Sequence, residues 1–196
     1  MEKQREKWAA ALSVLRELVS RYPGTTEAGE ALYRIGVILD QRMSDPAAAI
    51  KAWKKLTWSN WERRAQQAIQ RLRRESLRVY TERIYGTKEK PRFTVESRNI
   101  EEVRVRVYRL DLATYFKATH TASSVEMLDI EVIEPDETFT SRTPDYRPYV
   151  ERRREVELPF TGAGAYVVKV DDREREATTL VVVSDLALIV KASRRN

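Results

Sequence analysis

The sequence has 196 residues, 42% apolar and 34% charged, enough for one large domain or two small ones with a strongly hydrated surface. It contains no cysteine, which excludes disulfides, thiolate metal sites and cysteine nucleophiles, and its single histidine, His120, cannot alone supply a zinc site or a histidine-based triad. The formal charge is +6, but residues 1–80 carry +7 and the rest −1, so the chain reads as two parts of different character. No apolar run is long enough for a spanning helix. The opening MEKQREKW is charged with no apolar stretch behind it, so a signal peptide is not expected.

Residues 4–21 form the first predicted helix, because Trp8, Ala11, Leu12, Leu15, Leu18 and Val19 recur at spacings of three and four. Tyr22-Pro23-Gly24 ends it. Thr26 is the expected N-cap of a second helix, Glu27–Gln41, with Ala28, Ala31, Leu32, Ile35, Val37, Ile38 and Leu39 as its apolar residues. Ser44-Asp45-Pro46 marks a third start, a capping residue followed by proline at the first helical position. That helix runs to Leu56, with Ala49, Ile50, Trp53 and Leu56 on one face. Ser59 or Asn60 caps a fourth, from Trp61 to about Tyr80, whose apolar face is Trp61, Ala65, Ala68, Ile69, Leu72 and Val79. The short connections imply antiparallel neighbours.

The run Ala31-Leu32-Tyr33-Arg34-Ile35-Gly36, followed on the next helix by Ala49-Ile50-Lys51-Ala52-Trp53, resembles the tetratricopeptide repeat. Ala11, Leu15, Leu18 and Pro23 match the second half of a preceding unit, so the resemblance spans residues 8–57. It implies paired helices that approach closely at small residues such as Gly36 and Ala49. A plain four-helix bundle is the alternative.

Periodicity is lost over residues 81–92, where Gly86, Lys88, Glu89, Lys90 and Pro91 make a polar link; the expected organisation is therefore helices over 1–80, a linker over 81–92 and a β-domain over 93–196. From Phe93 the period is two. Phe93 and Val95 alternate with polar residues, Arg98-Asn99 turns the chain, and Val103, Val105 and Val107 alternate with Arg104, Arg106 and Tyr108. Residues 110–118, with Leu112, Tyr115 and Phe116, read as a short helical insertion, and residues 128–132 as a strand stopped by Pro135-Asp136. Residues 136–149 read as a long loop. Val150–Leu158 alternates, with Arg152, Arg154, Val156 and Leu158 on one side. Three apolar runs close the chain: Ala165–Val170, Ala177–Val183 and Leu186–Val190. Val181, Val182 and Val183 leave no polar face, so that strand is expected to be covered on both sides or nearly so. The fold class is α+β in two segregated parts, antiparallel helical hairpins and then an antiparallel β-sandwich of about seven strands.

The segments Val103–Phe116, Leu158-Pro159 with Gly164-Ala165-Tyr166, and Ala177–Lys191 resemble, in order and spacing, a macroglobulin-type domain of bacterial alpha-2-macroglobulin-like proteins. The resemblance spans nearly all of residues 91–193. It implies a sandwich module of a large periplasmic or extracellular, often membrane-anchored, chain that traps proteases. Many such chains carry an internal thioester made from a cysteine and a glutamine, which this cysteine-free sequence cannot form.

No residue pattern points to catalysis, a cofactor or a metal. Trp53, Trp58 and Trp61 lie within nine residues and offer aromatic anchors for a partner, although such clusters more commonly pack a core; Trp58, between helices, is the one expected to be partly exposed. Arg63, Arg64, Arg71, Arg73, Arg74 and Arg78 make a basic run. Without a glycine-rich loop, and not confined to one side, it reads as a solvated face or one facing an acidic neighbour, not a nucleic-acid site. With the tryptophans, Arg64 and Arg71 are the candidate interdomain or partner contacts. Glu101-Glu102 and Asp171-Asp172 read as hairpin-turn residues, His120 as a surface histidine, and Arg152-Arg153-Arg154 as edge protection or a solvated face. The expected function is that of a non-catalytic structural module whose partners are the remaining domains of its parent chain and, indirectly, a protease. No nucleic-acid or membrane contact is expected. The alternative is an adaptor whose helical groove binds a peptide.

Overall fold

The computed structural model describes residues 2–110 and 134–186. Four helices come first: α1 (Glu2–Arg21), α2 (Thr26–Gln41), α3 (Pro46–Lys54) and α4 (Trp61–Arg73). Seven strands follow among the described residues: β1 (Ser76–Tyr80), β2 (Arg92–Arg98), β3 (Glu102–Leu110), β4 (Glu137–Arg142), β5 (Glu151–Glu157), β6 (Gly164–Asp171) and β7 (Glu176–Val183). The fold is α+β with segregated parts. One compact unit is Met1–Glu75 with Tyr146–Glu151, the other Ser76–Asp145 with Arg152–Asn196.

In the helical unit the caps explain the boundaries. Thr25, not Thr26, is the N-cap of α2: its backbone is still extended, and its hydroxyl accepts the Ala28 N–H at 3.2 Å. Asp45 accepts the Ala48 N–H at 2.9 Å, with Pro46 at the first helical position. The α-helical part of α3 stops at Lys54. Lys55 and Leu56 continue in a tighter turn, donating to the carbonyls of Ala52 and Trp53 at 3.1 and 3.0 Å. The core gathers Ile35 and Leu39 from α2, Ile50 and Trp53 from α3, Ile69 and Leu72 from α4, and Leu12 from α1, with Tyr149 packed against it.

The fourth helix is shorter than its spacing predicts. It ends at Arg73, and Ser76–Tyr80 is a strand instead of its last turns. Val79 suits either reading, since it lies seven residues from Leu72 and two from Leu77. Pairing decides it: β1 runs antiparallel to β2, with Val79 opposite Val95, and Leu77 and Val79 pack on the sandwich core.

The strands form a sheet ordered β1-β2-β5 and a sheet ordered β4-β3-β6-β7. Their inner faces share one core. Val105 and Val107 of β3 lie opposite Val170 and Val168 of β6, and with them the core takes in Val103, Tyr166, Val181 and Val183 from the same sheet and Phe93, Val95 and Val156 from the facing sheet. Of the valine triplet, Val181 and Val183 are fully buried and Val182 half-buried. Asn99 adopts the left-handed conformation, φ 61°, in the turn between β2 and β3.

Residues 137–142, expected to be loop, are the edge strand β4, paired with β3 from Glu102↔Arg142 to Val107↔Glu137. Only Phe139 of its side chains packs on the core, so an apolar pattern never develops. Within residues 81–92, Tyr85 is buried; its N–H donates to Val182 at 3.0 Å and its carbonyl accepts from Ser184 at 2.8 Å. The expected short helix at 110–118, the strand at 128–132, the run to Val190 and His120 lie outside the described residues, apart from Leu110 at the end of β3 and the exposed Leu186.

Candidate protein-contact site

The five candidate contact residues fall in four environments. Trp53 is core: it is 1% exposed, and its indole N–H donates to the Tyr33 carbonyl at 3.0 Å. Trp61, half-buried at the start of α4, has its ring 5.2 Å from that of Tyr33, while Trp53 lies 6.2 Å from the same ring; Tyr33 thus joins the two. Arg64, one turn along, lies 4.7 Å over Trp61. Arg71 pairs with Asp40 of α2 at 2.9 Å, tying α4 to α2. Trp58 stands apart, half-buried, and its indole N–H donates to the Thr25 carbonyl at 3.0 Å, pinning the α3–α4 connection to the start of α2.

Two open grooves flank α2. One, of about 670 Å³, runs between α1 and α2 and includes Trp8, Leu15, Tyr33, Ile38 and Trp61, with Arg42 lying 5.3 Å over Trp8. The other, of about 520 Å³, lies along α1, α2 and α3 and includes Trp58. Trp8 was not singled out as a contact residue. The signal was available: the apolar stripe of α1 is wider than one neighbour can cover, and Leu12 is buried while Val14 is 65% exposed.

Many polar groups of the described sandwich unit hold its strands and turns together. Arg104 and Arg106 of β3 both donate to the buried Asp171 of β6 at 2.9 Å, while Asp172 closes the β6–β7 turn by accepting the N–H groups of Glu174 and Arg175 at 3.2 and 2.8 Å. Glu102 pairs with Arg142 at 2.7 Å. Of the arginine triplet, Arg153 is exposed and paired with Glu82, but Arg154 is not on a solvated face. It is 8% exposed and points between the sheets, where it donates to the hydroxyls of Ser97 at 3.1 Å, Thr143 at 3.0 Å and Ser141 at 3.3 Å, and to the Ser141 carbonyl at 3.3 Å. Burial lowers its pKa from the ordinary guanidinium value. Among the described residues, no three histidine, cysteine, aspartate or glutamate side chains group to hold a metal ion. No described helix is long and apolar enough to cross a membrane.

Residues 83–89 are fastened by carboxylates. Arg83 donates to both oxygens of Glu89 at 2.9 and 2.8 Å, the Gly86 N–H donates to Glu89 at 2.7 Å, and Thr87 donates through its N–H and hydroxyl to Asp185. The Arg83 hydrogen bonds, then that from Gly86, hold the Glu89 carboxyl at about 2, below its ordinary 4.5. A depressed folded-state value means that this contribution is whole above about pH 4.5 and lost as the pH falls toward about 2. Glu89→Gln is expected to flatten the dependence of stability on pH across that window, measured by urea unfolding at each pH. An unchanged slope counts against the clamp.

The tetratricopeptide repeat family model matches residues 30–75, which run from α2 through α4 and leave α1 outside the match. No curated protein matches the sequence significantly. Among solved structures, the chain is similar to the crystal structure of native alpha-2-macroglobulin from Escherichia coli spanning domains MG0-NIE-MG1, with TM-score 0.38 and 17% identity, covering 61% of this chain and 42% of that one. The chain therefore spans less than half the length of the structure it matches.

Proposed function

We propose that the chain is a non-catalytic structural module of a large alpha-2-macroglobulin-like, protease-trapping protein of the periplasm or cell exterior. The observation that carries this reading is the succession of modules. A tetratricopeptide-type set of helices passes at Ser76 directly into the first strand of a two-sheet sandwich. The macroglobulin-like segments of the sequence form framework strands of that sandwich: residues 103–110 are its central strand β3, and residues 164–166 open β6, where the Tyr166 hydroxyl donates to the Gly162 carbonyl at 3.1 Å. Its polar residues serve strand pairing and turns, which suits a part that transmits or bears load while protease cleavage happens elsewhere in the parent chain. Its partners are then the parent's other domains. The test is the coding sequence on either side: further sandwich modules downstream are expected, and a frame that ends at Asn196 with nothing like them overturns the reading.

A second reading, an adaptor whose helical unit binds a partner peptide, is favoured by the two apolar grooves beside α2, both rimmed by cations.

A further inference from the structure

The two grooves beside α2 differ in how their cations are occupied. Around the Trp8 groove, Arg34 pairs with Glu30 and Arg42 lies over Trp8. Around the groove along α1, α2 and α3, the cations are Arg16, Lys51 and Lys55, all exposed and none of them ion-paired among the described residues. No acidic side chain lines that groove. Its lining includes the buried Ile35 and Leu39 and the half-buried Trp58, whose indole N–H is already spent on the Thr25 carbonyl.

Lys51 belongs to the last turn of α3 and Lys55 to its C-cap, where the helix dipole favours positive charge in any case. That account does not reach Arg16, which comes from a different helix and precedes its last turn, where Arg21 is the basic residue. Cations from two helices converge on one apolar trough.

We propose that this groove docks an acidic amphipathic segment of a protein partner, one whose apolar residues, a helical turn apart, enter the trough while flanking glutamates or aspartates meet Arg16, Lys51 and Lys55. The proposal rests on the adaptor reading and adds to it the groove used and the chemistry of the partner. Apolar contact supplies the attraction, as in other helix-in-groove complexes. The rim charges set encounter rate and selectivity, because a basic partner would place like charges side by side without relief. The +7 excess of residues 1–80 steers an acidic partner toward this part of the chain.

The experiment uses the full chain, labelled with nitrogen-15, and three synthetic helical peptides of one length. All carry leucines three and four apart; the flanking residues are glutamate in one, lysine in the second and glutamine in the third. The glutamate peptide is expected to shift the amide signals of α2 and α3 near Ile35, Leu39 and Lys51, and to bind at least about tenfold more tightly than the other two. Arg16→Glu, and separately the pair Lys51→Glu with Lys55→Glu, should each weaken it by about tenfold or more, with the unfolding curve of each variant checked against the parent. Because the reversals sit on different helices, misfolding of one variant leaves the other to decide. Equal binding of the three peptides overturns the acidic assignment. So does binding confined to the Trp8 groove, which leaves the adaptor reading standing, whereas no binding by any peptide removes both. Self-association lost on the same reversals, or binding of a single-stranded oligonucleotide in place of the glutamate peptide, also overturns the proposal.

Discussion

Gly36→Ala is expected to lower the stability of the helical unit by about 2–3 kcal/mol, although the same change in an ordinary helix interior stabilises by up to about 1 kcal/mol. A Cβ at this position would lie 2.1 Å from the indole nitrogen of Trp53 and 2.3 and 2.6 Å from two of its ring carbons. The ring cannot retreat, because it is 1% exposed and held by its hydrogen bond to Tyr33. The decisive measurement is a double-mutant cycle by urea unfolding. Trp53→Leu alone is costly because it opens a cavity. In that background, however, Gly36→Ala should become neutral or slightly stabilising, because only the helix propensity remains. A loss of the same size in both backgrounds would show that the close approach to Trp53 is not what demands glycine.

Arg154→Ala should destabilise the sandwich by about 3 kcal/mol, against less than about 1 kcal/mol for Arg153→Ala next to it. The neighbours point to opposite sides of β5. Arg153 lies at the surface with Glu82, in an exposed pair that solvent screens. Arg154 spans the two sheets from β5 to Ser141 of β4, and also holds Ser97 of β2. Without it the hydroxyls of Ser97 and Ser141 lose a donor inside the protein, while Thr143 keeps its own bond to Ile100 at 3.0 Å. Among the described residues the guanidinium has no carboxylate partner, so its burial carries a desolvation cost that removal relieves in part. Arg154→Met, which keeps the length but not the donors, should therefore fall between Ala and the parent. Adding Ser97→Ala to it should recover some of the loss by removing an orphaned hydroxyl. If Arg154→Ala unfolds at the same urea concentration as Arg153→Ala, the buried strut contributes nothing.

What could be read in advance tracks how local its cause is. The helices followed from spacing and caps because both signals lie within a few residues; Ile35, Leu39, Ile50 and Trp53 are buried as their periodicity requires. The strands β3, β6 and β7 followed from alternation or unbroken valine. The errors lie where the deciding partner is distant in sequence. Ser76–Tyr80 becomes strand because β2 is there to pair with it. β4 hides because an edge strand with one core-facing aromatic has no pattern of its own. Arg154 sits in a run of charge that suggests solvent, and only the hydroxyls of Ser97, Ser141 and Thr143 make it an interior residue. On the candidate surface, the spacing of three tryptophans was visible, but the role of Tyr33 in linking two of them, and the convergence of Arg16 with Lys51 and Lys55, arise only when helices are brought side by side.

Tyr149, packed on the helical core from residues 146–151, makes that unit discontinuous along the chain. On the ribosome the four helices emerge before the strands, and roughly 70 further residues, 76–145, must be synthesised before Tyr149 arrives. At about 5–20 residues per second that is a wait of roughly 4–14 s, far longer than helices need to form and dock. Throughout this interval the patch of the helical core that Tyr149 later covers stands bare, in addition to the two grooves that stay open in the finished protein.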